Sequence, residues 1–146
     1  TPKPSSAASD VYKRQVIDKS KDLFELPRYP VNENYGKPER FLTLLNTKPF
    51  PFKSFKPENK FLTKSENPPK IEIEFFKETT NLEKINCFAN DGGEWSKKKI
   101  SFIEKNWIKV NLDKKFTTRT GRINCSLLDK DNQWRWLGFQ FVVDGN

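Results

Sequence analysis

The chain has 146 residues (17.2 kDa), 34% hydrophobic and 14% aromatic, enough for one modest core and against wholesale disorder. Twenty-seven Lys and Arg against 19 acids give a net charge of +8 and a pI near 9.5, so the surface attracts polyanions at low salt. Histidine is absent, which removes the usual zinc-hydrolase ligands and any Ser-His-Asp triad. No CxxC, GxxxxGK or GxGxxG pattern occurs either.

No run of about 18 apolar residues is present and no signal peptide is visible. Methionine is also absent, which points to a fragment or a trimmed chain. Residues 1–22 carry almost no apolar content and are expected to form a disordered tail. Within them SSAASDVYKRQ resembles a translated adapter sequence of the kind that contaminates assembled metagenomic reads.

Residues 23–70 are expected to form a connector and strap. Pro27 and Pro30 in LFELPRYPVNENYG exclude a regular helix or a central strand, leaving an extended segment anchored by Phe24, Leu26, Tyr29 and Val31. In KPERFLTLLN, Pro38 sits at a helix start, and Phe41, Leu44 and Leu45 make one apolar stripe. The spacing predicts a helix over about 38–46 that needs a surface to lie on. Five prolines between Thr47 and Lys70 argue against a sheet interior. Phe50, Phe52, Phe55 and Phe61 are too apolar for a free linker, so a strap pinned against a neighbouring surface is expected.

Residues 71–146 read as the compact domain. Ile71, Ile73 and Phe75 alternate with acids, and Ile85, Cys87 and Ala89 repeat the pattern. Ile100–Ile103 and Trp107–Leu112 form a further pair around Glu104, Lys105 and Asn106. Lys97, Lys98 and Lys99 read as a solvated strand edge. The clearest element is a hairpin. Ile123, Cys125 and Leu127 alternate on one strand, Asp129–Asn132 form a polar turn, and Leu137, Phe139, Phe141 and Val143 alternate on the return. About six strands at this spacing predict a mostly β, small antiparallel sandwich, immunoglobulin-like in type.

Cys87 and Cys125 both fall on the dry face of their strands. They are either a bridge, across the core between sheets or between close neighbouring strands with both side chains inward, worth about 4 kcal/mol for a loop of this length, or two buried thiols. Trp134 and Trp136 share a face opposite Leu137 and Phe139. They are either core, with a bulge at Gly138 resetting the phase, or a flat pair that stacks on sugars or bases. With Trp95 and Tyr35 they are the candidates for glycan contact.

LPRYPVNENYG, the pair Arg40 and Phe41, the triplet Asn67-Pro68-Pro69, the NCF and GRINCS strands and the ending WRWLGFQFVV resemble the C-terminal part of bacterial polysaccharide deacetylases of the cyanobacterial type. The resemblance covers about Phe24 to Val143. It implies an upstream (β/α) barrel that removes acetyl groups from N-acetylated sugars with an Asp-His-His metal site holding a divalent ion, expected to be zinc. It assigns no catalytic residue and no metal ligand to these 146 residues. Phe24, Leu26, Arg28, Tyr29, Phe41, Phe50 and Phe52 become the residues expected to dock on that barrel, and the strap is expected to be poorly held without it. The implied partners are the upstream domain and a polysaccharide, and the implied location is the bacterial cell envelope or exterior. The alternative is an independent module for an anionic polymer such as single-stranded nucleic acid, driven by the +8 charge.

Overall fold

The computed structural model describes residues 36–90 and 93–144. The tail and connector, with Phe24, Leu26, Arg28, Tyr29 and Tyr35, lie outside the described residues. Helix α1 (Pro38–Asn46) forms where the stripe placed it, opened by Pro38 in its first turn. Nine strands follow among the described residues: β1 (Lys48–Pro49), β2 (Ser54–Lys56), β3 (Phe61–Leu62), β4 (Ile71–Glu74), β5 (Asn86–Asn90), β6 (Trp95–Glu104), β7 (Trp107–Asn111), β8 (Thr120–Leu128) and β9 (Trp134–Val143). The order across the curled sheet is β1-β9-β8-β5-β6-β7-β4-β2, with β3 also on β9. No described helix is long and apolar enough to cross a membrane.

Strand β6 makes the sandwich. Its first half pairs with β5 and its second half with β7, so one strand belongs to both layers and folds the sheet over the core. The inner face of the first layer presents Cys87, Ala89, Ile123, Cys125, Leu127, Leu137, Phe139, Phe141 and Val143. The second presents Ile71, Ile73, Ile108 and Val110, all buried. The mostly β sandwich read from the alternation is therefore observed, with three further strands that the alternation did not reveal.

Those three come from the strap, and here the sequence reading is corrected. Strands β1 and β3 pair parallel with β9, and β2 pairs antiparallel with β4. Phe50 is buried and stacks on Phe75 at 4.7 Å, while Phe55 stacks on Phe139 at 3.6 Å. Phe52 meets Phe139 edge-on at 5.5 Å. These rings complete the protein's own core instead of waiting for another surface. Each buried aromatic removes a large apolar area from water, a gain the short strap strands lack in hydrogen bonds alone. Phe61 is the exception: it points outward and its neighbour Leu62 is buried.

Asn67 ties the strap's end to the segment between β7 and β8. Its side-chain amide donates to the Phe116 carbonyl and its oxygen accepts from the Phe116 N–H, both at 2.8 Å. Because Asn67 is itself buried, this pair satisfies polar groups that would otherwise be costly to enclose. The lysine run is also corrected in part. Lys97 is exposed, but Lys98 turns inward, largely buried, and pairs with Asp113.

Candidate glycan-contact face and docking helix

The continuous register of β8 on β9, from Thr120 opposite Val142 to Leu128 opposite Trp134, leaves no bulge at Gly138. Trp134 and Trp136 therefore stay on the face opposite Leu137, Phe139 and Phe141. The pairings carry that outer face across the layer in rows. One runs Trp136, Ser126, Asn86; the next Gly138, Asn124, Phe88, Lys97; the next Gln140, Arg122, Asn90, Trp95. Trp95, Trp134 and Trp136 thus share one sheet face. They do not form one cluster, because Trp95 stands three strands from β9, about 14 Å at ordinary strand spacing.

The face is uneven. Its centre is closed: Gly138 and Gln140 are buried, and Arg122 Nε donates to Gln140 Oε1 at 3.0 Å. Asn90, Trp95, Trp136 and Gly138 already hold partners of their own. Its open parts are Trp134, 39% exposed beside the half-buried Trp136, and Phe88 next to Lys97 and Asn124. Phe88 was not singled out in the sequence. Its signal was there: it is the outward residue between the inward Cys87 and Ala89.

Helix α1 is the second unusual surface. Phe41 is 47% exposed, Leu42 58% and Leu45 66%, and no residue of the helix is buried. The helix is anchored at its end by Thr47, which is buried and donates through Oγ1 to the Thr43 carbonyl at 2.7 Å. Of the proposed docking residues that are described, Phe41 is presented outward, whereas Phe50 and Phe52 are spent on the core.

Cys87 and Cys125 are joined in a disulfide. The bridge lies within one layer, between residues paired directly across the neighbouring strands β5 and β8, the second of the two arrangements open to inward-pointing cysteines. Among the described residues no three His, Cys, Asp or Glu side chains converge as a metal site.

No protein-family profile and no curated protein matches the chain. Among solved structures, the copper resistance protein PcoC from Escherichia coli superposes with a TM-score of 0.46 at 13% identity, covering 64% of this chain and 99% of that one.

Proposed function

We propose that the chain is the non-catalytic C-terminal accessory domain of a polysaccharide deacetylase, docking on the upstream catalytic domain through α1 and contacting glycan through the outer face of the first layer. The observation that carries the reading is the uncovered stripe of Phe41 and Leu45. A helix of nine residues is marginal alone, so an amphipathic one with no buried residue gains its stability from a surface it covers. It begins two residues after the connector that resembles the exit from a deacetylase barrel, which makes that barrel the occupant.

Trp134 and Phe88 support the glycan contact, since an exposed aromatic face beside amide and hydroxyl groups suits the apolar face and polar rim of a sugar ring. The disulfide favours an oxidising compartment, in keeping with the envelope or the exterior. The competing reading is an anionic-polymer module driven by charge.

The test is binding of the chain to an N-acetylglucosamine oligomer and to single-stranded DNA, each across a salt series. Glycan affinity that changes little with salt and is lost in Trp134→Ala is expected. DNA binding with a steep salt slope and no glycan binding would overturn the reading.

A further inference from the structure

A cleft of about 230 Å³ opens beside the β8–β9 turn at the end of the sandwich. The turn between β8 and β9, the loop after β4 and the link between β1 and β2 enclose it. Its floor is Phe50 and Leu127, both buried, and one wall is the ring of Phe76, 40% exposed. Thr79 and Thr80 add hydroxyls to the rim.

Pro51 apart, the remaining lining is charged, and its balance is opposite to that of the chain. Glu78, Asp129 and Asp131 face two cations, Lys130 and Arg135, in a protein that is +8 as a whole. Asp129 and Arg135 are spent on each other: Arg135 Nε donates to Asp129 Oδ2 at 2.8 Å, and Arg135 Nη1 donates to the Pro49 carbonyl at 3.0 Å. Asp129 Oδ1 also accepts from the Asp131 and Gln133 amides at 2.9 Å, which fixes the turn and the place of Asp131. Glu78 and Asp131 are the carboxylates left over from that network, against one further cation, Lys130.

We propose that this cleft binds a cationic amino-sugar unit, the free-amine product of N-deacetylation, and so holds the accessory domain on polymer that the enzyme has already processed. This rests on the accessory-domain reading. The ring of Phe76 takes the apolar face of the sugar, the threonine hydroxyls meet its hydroxyls, and Glu78 and Asp131 pair with the ammonium. An acetylated unit offers a neutral amide in that place and forms no ion pair with either carboxylate. A polyanion is disfavoured for the same reason.

The test is an NMR titration of the whole chain with a glucosamine tetramer, its fully N-acetylated counterpart and a neutral glucose tetramer. Shifts at residues 76–80 and 129–131 are expected with the glucosamine tetramer, with affinity about tenfold above the other two, as charge-assisted contacts provide. The double variant Glu78→Gln, Asp131→Asn should remove that preference, and Phe76→Ala should weaken all binding at the cleft. Both change exposed or rim groups, and an unaltered melting curve checks the fold. Equal or tighter binding of the acetylated tetramer at the cleft, or a preference that survives the double variant, would overturn the proposal. Acetylated glycan shifting only Trp134 and Phe88 would overturn the cleft and leave the accessory-domain reading standing. DNA binding with no glycan binding would remove both.

Discussion

Cys87 and Cys125 face each other across β5 and β8 with their Cα atoms 4.1 Å apart, at the centre of the first layer's inner face. Both are fully enclosed by the core. Their bridge closes a loop with a sequence separation of 38, which restricts the unfolded chain by about 4 kcal/mol.

Reduction should therefore lower the melting temperature by about 10 °C, and Cys87→Ala with Cys125→Ala should do the same without reductant. Thermal unfolding followed by circular dichroism checks this. Equal melting with and without reductant, under conditions that free both thiols, would contradict it.

The strap should behave as part of the sandwich. Phe55 stacks on Phe139 and also lies 6.2 Å from Phe141, so Phe55→Ala should cost about 3–5 kcal/mol in urea unfolding. Phe61→Ala, at an exposed position of β3, should stay within about 0.5 kcal/mol of the parent. Hydrogen exchange at the β2 amides paired with β4 should be slow. Fast exchange there, with little loss from Phe55→Ala, would restore the picture of a strap held only by another domain.

A single lysine gives the fold an alkaline signature. Lys60 Nζ lies 3.9 Å from the centre of the Phe55 ring, with Phe139 and Phe141 beyond, and donates to the Pro57 carbonyl. Burial pushes its ammonium down from 10.5 to about 8, against a smaller upward pull from Glu58. Between those values the unfolded chain holds the proton and the folded chain does not, so stability should rise with pH through that window. Below about 8 both states are charged and the penalty is fully present. The difference in unfolding free energy between the parent and Lys60→Met should accordingly change from pH 8 to pH 10.5 in the parent's favour. A pH-independent difference would contradict the assignment.

Much of this architecture was legible because period-2 alternation marks any strand with one dry face. The β8–β9 hairpin, β4, β5 and β7 all declare themselves that way, and α1 does so through its stripe. The strap strands were not legible. β1 and β3 have two residues each, too few for a period, and their partner β9 is far along the chain. Prolines that argued against a sheet interior are tolerated because Pro49 sits in a two-residue strand at the sheet's end.

β6 was legible only in part, as the stretch Ile100–Ile103. It changes layers along its length and carries an irregularity between Phe102 and Glu104, so no single alternation runs through it. At the candidate surfaces, the shared face of Trp134 and Trp136 followed from spacing alone. Its continuation to Trp95 and Phe88 depended on pairings that only the fold supplies, as did the cleft, whose walls come from three separate segments.

The proposed docking of α1 can be tested directly by adding the catalytic barrel of a polysaccharide deacetylase that ends in the same LPRYPVNENYG connector to isotope-labelled chain, and following α1 by NMR. The predicted result is saturable shifts at Phe41, Leu42 and Leu45, lost in the double variant Phe41→Asp, Leu45→Asp, while the β8–β9 signals keep their native positions. Undisturbed α1 signals at saturating barrel, or shifts that persist in the double variant, would contradict the accessory-domain assignment.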